Sequence, residues 1–404
     1  MKNILIIEKN PSGIMGLRTA HEMGLFVILM SADKYNNKAT EDDLLYIDLL
    51  YRVDTNDYEA VWREIEKINR IHPLSGIMTF LDYYVPLVAE ISSRLGVPGL
   101  SPNDGLCAHN KYLMRQRHRQ CGVSIPMYKI ANSLDDTIKA GREIGYPNVV
   151  KPVNLSASRN VWLNSNEEEI KRHYHDIMVS KVPFGIKKES IVLIENYMNG
   201  KEYSVESISY KGHVKIVAIT EKSVNGQGCF VEVGHIVPAP LTPEIEKKIC
   251  ELTIDAVTSL GIKYGGSHTE LKLTTDGPKI VEVAARLGGD YIPELVQDAL
   301  GVNLWKANIM SMIGECPKIK KKKCKCAGIT YFTGHEGKIK SIKNNYLTKD
   351  KNIKRVCLEV AEGDKTNTLQ NSSNRLGYAM VIGADYQEVI KQIKRVHQLI
   401  KVEY

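Results

Sequence analysis

The sequence predicts an α/β protein that turns to α+β in its C-terminal part, and three observations carry that prediction. Short apolar strands alternate with helical patterns from residue 1 to about 100, which implies a parallel, doubly wound sheet. In the middle of the chain, polar–apolar alternation broken by turn residues marks antiparallel pairing, clearest in His268–Asp290. From about residue 315 the chain reads as strands closed by one helix. With 404 residues, two or three domains with substantial cores are expected. The shifts in pattern divide them as 1–100, 101–310 and 311–404.

In the first region Asn3–Ile7 is a strand, Pro11–Gly16 a loop, Leu17–Met23 a helix and Phe26–Met30 a second strand. A helical pattern at Tyr58–Ile68, a strand at Gly76–Phe80 and a helix at Val85–Leu95 continue a Rossmann-like alternation. The loop Glu8–Gly16 lacks the GxGxxG fingerprint, which disfavours a nicotinamide dehydrogenase. Residues 101–145 read as mostly helical, opened by Ser101-Pro102-Asn103-Asp104. A strand ending in Lys151 follows, then the small, hydroxyl-rich run 154–160 and a strand at Val161–Leu163. Ile191–Met198 is an apolar strand leading into the polar segment Asn199–Glu202 and a further strand, Tyr203–Ser207. Residues 223–240 read as a Gly-rich loop carrying Glu232 and His235. Pro293–Leu304 is a helix, followed by strands at Gly328–Phe332, Val356–Val360 and Tyr378–Ile382 and a helix at Gln387–Leu399.

Composition excludes several classes. At 43% hydrophobic and 25% charged residues the profile is that of an ordinary globular chain. No run approaches the ~18 apolar residues of a membrane span, and MKNILIIEKN is too briefly apolar for a signal peptide, so a cytoplasmic protein is expected. The formal charge of +7 is concentrated in Lys318, Lys320, Lys321, Lys322, Lys323 and Lys325. No aromatic residue interrupts that run, so a solvated loop is favoured over a nucleic-acid surface. Cys107, Cys121, Cys229, Cys250, Cys316, Cys324, Cys326 and Cys357 form no CxxC pair or zinc spacing, which favours free thiols.

The chemistry concentrates in His268–Asp290. Alternation puts His268, Glu270 and Lys272 on one face of the first strand, and Ile280, Glu282 and Ala284 on one face of the return strand. The turn Thr274–Gly277 then sets Glu270 opposite Glu282. Two carboxylates across one rung repel, and a divalent cation between them removes the conflict. Oxygen ligands favour Mg²⁺ or Mn²⁺, which use one or two carboxylates plus substrate phosphates. Arg286 and Gly288-Gly289 follow at once, a fixed charge beside backbone that can approach an anion. An amphipathic hairpin with solvated glutamates is the alternative. Lys151 beside Ser156 and Ser158 is a candidate phosphate cradle, with an exposed hairpin loop as its alternative.

Taken in order, Lys111, Lys151 with its small-residue loop, the Glu195–Glu202 linker, Glu270, Glu282 and Arg286 resemble the ATP-grasp superfamily over most of the chain. Residues 1–100 resemble its preceding α/β domain, and Arg375-Leu376-Gly377-Tyr378 falls in a C-terminal region similar to that of biotin-carboxylase-like members. Phe230–His235 with Pro238, and Arg286–Asp290, are most similar to the L-amino acid ligases, dipeptide synthetases of the bacilysin type. The resemblance implies an ATP-grasp fold and ATP with Mg²⁺ or Mn²⁺ as cofactors. Lys111, Lys151, Ser156 and Ser158 would bind phosphates, the backbone from Glu195 through Tyr197 to Met198 adenine, and Glu202 ribose. Glu270 and Glu282 would hold the metal, and Arg286 would be catalytic. Glu232, His235, His268, Arg286, Gly289 and Asp290 would meet the amino-acid substrate. A lid over 151–200 would exclude water from an acylphosphate. Partners would be small molecules, with neither nucleic acid nor membrane, and a homodimer as an admissible assembly. Two departures stand out: Ser156, Ser158 and Asn160 where many relatives are Gly-rich, and Ala284 where many have Asn.

Overall fold

The computed structural model describes residues 1–9, 13–34, 37–225, 230–344 and 350–404. Part of the first loop (10–12) and the glycine-rich centre of the 223–240 segment (226–229, including Cys229) lie outside the described residues. Among those described, no helix is long and apolar enough to cross a membrane, and every cysteine is a free thiol.

The strand Asn3–Ile7 shows why the first region folds as it does. Its residues alternate between two cores: Ile4 and Ile6 enter one cluster, Leu5 and Ile7 another. A strand buried on both faces must be apolar throughout, as parallel strands usually are. It lies second from the edge of a parallel four-stranded sheet, between Phe26–Ser31 and Leu74–Met78. The outermost strand, Leu49–Arg52, was not expected from the sequence. Leu49, Leu50 and Tyr51 are only part-buried and Arg52 is exposed, so it lacks the strong apolar signal of its neighbours.

A second, antiparallel four-stranded sheet contains Tyr128–Ala131, Val192–Asn196, Asn148–Pro152 and Trp162–Asn164 in that spatial order. Helices Leu134–Ile144 and Glu167–Val179 cover it through Ala140, Ile170 and Ile177. The segment expected to be mostly helical therefore contains a strand.

The third sheet organises the molecule. Eight antiparallel strands run in the order Gly277–Ala284, Gly265–Thr274, Lys201–Tyr210, His213–Val224, Glu232–Val237, Cys326–Phe332, Gly377–Gly383 and Ile353–Leu358. Strands from the third sequence region thus complete a sheet begun in the second. Beneath the hairpin, Leu271, Ile280 and Val283 pack with Ile249, Ala256 and Val257 of helix Pro243–Ser259. The opposite face of these strands is polar and lines a cavity.

Three expectations about elements are corrected. Glu232–Val237 is a strand paired on both sides, not loop. The helix expected at Pro293–Leu304 is two helices, Ile292–Leu300 and Leu304–Met312, because Gly301 at φ 69° ends the first in the left-handed region. Ile280 does not share a face with Glu282. The ladder shifts register so that Leu271 opposes Ile280 while Glu270 opposes Glu282, leaving Val281 as an extra residue. Such a bulge sends residues two apart to opposite faces, so Ile280 enters the core and Glu282 the cavity.

Candidate active site

The cavity, of about 500 Å³, lies between the polar face of the large sheet, the smaller antiparallel sheet and one turn of the N-terminal region. Lys111, Lys151, Ser156, Ser158, Glu195, Tyr197, Met198 and Glu202 line it, as do Glu232, His235, His268, Glu270, Glu282, Arg286, Gly289 and Asp290. Each of the candidate site residues thus lines one cavity, whereas Gly288 and Asn160 are not among its lining residues.

At one end Lys151 is nearly buried and its Nζ lies 2.6 Å from Glu195 Oε2. The other oxygen of Glu195 accepts from Arg115 Nε at 2.5 Å, and Arg115 also donates to the Val281 carbonyl at 2.6 Å. Burial favours the neutral acid at Glu195, but Arg115 and Lys151 outweigh it and hold the carboxyl below its usual range. With its carboxylate so occupied, Glu195 has only backbone to offer a base. Burial pulls the Lys151 ammonium below the ordinary lysine value, with Glu195 opposing. Lys111 Nζ donates to the Leu155 carbonyl at 2.6 Å and to Glu282 Oε1 at 2.9 Å. Lys272 Nζ lies 5.0 Å from the Tyr197 ring and 5.1 Å from the Phe230 ring, within cation–π range.

In the middle Glu270 and Glu282 face each other across one rung of the ladder. Lys222 stands against Glu270 at 2.5 Å, Glu202 at 3.0 Å and Glu232 at 3.3 Å. Burial disfavours its charge, yet the three carboxylates hold its ammonium well above the usual range. His268 Nδ1 lies 2.5 Å from Glu206 Oε1 and, when protonated, donates to it. Burial would lower the imidazole, but Glu206 and then Glu270 raise it to about 10. Among the described residues no group of three or more His, Cys, Asp or Glu side chains is arranged to hold a metal. Glu270 and Glu282 nevertheless fit Mg²⁺, which needs only one or two carboxylates when phosphates supply further oxygens.

At the far end Arg375 donates to both oxygens of Asp290 at 2.9 Å and to the Glu232 carbonyl at 3.0 Å. Its guanidinium lies 3.7 Å over the Tyr331 ring. His235 Nε2 is 3.1 Å from Asp290 Oδ2. Burial opposes ionisation of Asp290, but His235 and Arg375 hold it far below the usual carboxylate range. Glu232 and His235, three apart in one strand, reach the same cavity because a second register shift leaves Val233 extra in the ladder with His213–Val224. Arg286 donates to the Leu287 carbonyl at 2.7 Å and is paired with Asp82.

Arg115, Lys222, Asp82, Glu206 and Tyr331 were missed by sequence reasoning, and Arg375 was seen without being placed in the site. Arg115 carried a signal: Lys111, Met114, Arg115 and His118 form the buried stripe of helix Lys111–Gln120 at helical spacing. Lys222 sits opposite Glu202 on one side and His235 on the other, a relation only the register reveals.

Three family models match separate stretches of this chain. Residues 17–99 match the ATP-grasp N-terminal domain, 144–294 the ATP-grasp domain and 330–404 the L-amino acid ligase C-terminal domain 2. The chain is 29% identical over 255 residues to alanine–anticapsin ligase of Bacillus subtilis, covering 59% of this chain and 54% of the relative. It is 22% identical to the L-arginine-specific L-amino acid ligase of Bacillus subtilis, covering 88% and 87%. An uncharacterised protein of Sinorhizobium fredii is 28% identical over 80% of this chain and 66% of its own length. The chain thus spans between about half and two thirds of the first and third of these relatives. In fold it is similar to the L-amino acid ligase of Bacillus licheniformis, with a TM-score of 0.84, 22% identity and coverage of 100% and 99%. The parallel sheet within Asn3–Met78, the smaller antiparallel sheet and the eight-stranded sheet are together an ATP-grasp fold, and the chain belongs to the ATP-grasp superfamily, with an L-amino acid ligase C-terminal domain.

Proposed function

We propose that this protein is an ATP-dependent, ADP-forming ligase that activates the carboxylate of an amino acid and joins it to an amine, a second L-amino acid. The observation that carries the reading is the rung Glu270–Glu282, opening into the same cavity as Lys111, Lys151 and Arg286.

In this reading Lys111 and Lys151, with Ser156 and Ser158, bind the ATP phosphates. The backbone at Glu195, Tyr197 and Met198 reads adenine, and Glu202 takes the ribose hydroxyls. Glu270 and Glu282 hold Mg²⁺ or Mn²⁺, which when bound neutralises charge on the transferring phosphoryl group. A substrate carboxylate oxygen attacks the γ-phosphorus, the bond to the β-phosphate oxygen breaks, and ADP leaves. The amine nitrogen then attacks the acyl carbon, a proton is lost from nitrogen, and the acyl C–O bond breaks to release phosphate. Arg286 faces the charge that builds on the phosphoryl and then on the acyl oxygen, where a fixed cation in a site shielded from water has most effect. Glu232 and His235 orient the substrate amine, and the Gly289 N–H with Arg286 its carboxylate. His268, kept cationic by Glu206, adds positive charge beside them, and Asp290 anchors the wall through Arg375. The segment 151–200 acts as the lid that keeps water from the acylphosphate. A cytoplasmic setting, a homodimer and domain divisions near residues 100 and 310 complete the reading.

Trapping the activated intermediate tests the order of events. With ATP, Mg²⁺, hydroxylamine and the amino acid that donates its carboxylate, the expected product is the aminoacyl hydroxamate with stoichiometric ADP. ADP formation with no hydroxamate for any amino acid would contradict an acylphosphate.

A further inference from the structure

The cavity has one wall that comes from outside both antiparallel sheets. Phe80, Leu81 and Asp82 follow the strand Leu74–Met78, the edge of the N-terminal sheet, and Asp82 opens a short helical turn, Asp82–Tyr84. Asp82 reaches across 204 positions of sequence to the guanidinium of Arg286. An arginine presents only donors, in a rigid fork. Here one terminal nitrogen is tied to Asp82 and the other to the Leu287 carbonyl, so rotation of the guanidinium is arrested. Both side chains are largely withdrawn from solvent, at 17% and 9% exposure, so the pair is weakly screened.

The next residue of the same turn touches the other half of the site. Tyr83 Oη accepts from the backbone N–H of Ser156 at 3.3 Å. Leu155 is buried in the core of the N-terminal region together with Tyr83 and Tyr84. Phe184 packs on Tyr83 with ring centroids 5.6 Å apart, and its carbonyl accepts from Asn56 Nδ2 at 2.8 Å. Two adjacent residues of one turn therefore grip the arginine and the serine loop at once.

We propose that the Asp82–Tyr83 turn is a positioning element: Asp82 aligns Arg286, and Tyr83 registers the Ser156 loop, so that phosphoryl group and arginine meet in one geometry. This rests on the ligase reading of Arg286 and the serine loop given above. A misplacement of about 1 Å in such a site costs on the order of 10²-fold in rate.

The test is a double-mutant cycle on the full chain with ATP, Mg²⁺ and the amino-acid pair that the wild type uses. Asp82→Asn, which keeps the shape and removes the charge, is expected to lower kcat on the order of 10²-fold while KM for ATP stays within about twofold. The double variant with Arg286→Lys is expected to be no slower than Arg286→Lys alone, because the aspartate acts only through the arginine. Tyr83→Phe, which loses one neutral hydrogen bond, is expected to raise KM for ATP about fivefold at unchanged kcat. Multiplying losses in the Asp82/Arg286 cycle, or wild-type kinetics for Asp82→Asn, would overturn the proposal. If the wild type releases no phosphate with any pair, it is the ligase reading that fails. Thermal unfolding of the same four proteins then judges the pairing, and additive shifts in Tm overturn it.

Discussion

Glu282 works against two neighbours at once: Glu270 across the ladder and the nearly buried Lys111 ammonium 2.9 Å away. Glu282→Ala removes a proposed metal ligand from a position that is part-exposed, so the fold is expected to survive. Loss of several kcal/mol of charge stabilisation, at ~1.4 kcal/mol per tenfold, puts the expected fall in kcat at about 10³-fold or more. Steady-state phosphate release alongside a circular dichroism spectrum checks both halves, and wild-type activity would remove the metal assignment. His118 offers a prediction about stability instead. Burial, helped by Arg115, pushes its imidazole down to about 3. Its unfolded value is about 6.5, so between these limits the unfolded chain binds a proton that the native protein refuses. Stability from this group is therefore complete above about 6.5 and is lost as pH falls toward 3, by up to ~1.4 kcal/mol per pH unit. His118→Gln should flatten that acid limb in denaturant unfolding between pH 6.5 and 3, and an unchanged slope would refute the assignment.

Lys222 shows how an element does what single residues cannot. The strand His213–Val224 lies between Lys201–Tyr210 and Glu232–Val237, so its one inward lysine meets Glu202, Glu232 and Glu270 from three strands. Lys222→Met leaves three carboxylates without their shared cation, and removing one partner of a buried ion pair costs ~3–5 kcal/mol. Added Mg²⁺ should raise the Tm of this variant more than that of the wild type, because the cation takes over part of the missing charge. Equal Mg²⁺ responses in a thermal-shift titration would contradict it. The element scale also explains what the sequence allowed one to read. Thr274–Gly277 is strong turn chemistry, so the hairpin that brings Glu270 and Glu282 near each other was legible before any coordinates, although the rung itself forms only because the extra residue Val281 shifts the register by one. The bulges at Val281 and Val233 were not, since an extra residue leaves the alternation looking unbroken on either side. Without the second bulge, Glu232 and His235 at a spacing of three would face opposite ways, and the glycines of 223–240 make the whole stretch look like loop. In Lys111–Gln120 charged residues occupy both faces, so only the helical spacing of Lys111, Met114, Arg115 and His118 hints at the stripe that tertiary packing buries.

At the scale of the molecule, three regions of sequence converge on one cavity. The second supplies the carboxylate pair, the lysines and the serine loop, the third supplies Arg375 and Tyr331, and the first supplies Asp82. Residues within one hairpin or one loop were visible as a site because local geometry brings them together. Asp82 with Arg286 and Arg375 with Asp290 were not, because nothing in a single sequence pairs residues so far apart. That convergence suits the acyl transfer proposed above, which calls for charge aligned from several directions and for water kept out.

The most direct measurement is phosphate release from ATP and Mg²⁺ against all pairs of the common amino acids, with water-only and bicarbonate controls and mass analysis of the product. The account predicts release that requires two particular amino acids and yields their dipeptide with one ADP and one phosphate. Release that needs bicarbonate, or that proceeds with water alone at the same rate, or silence across every pair with ATP bound, would contradict it.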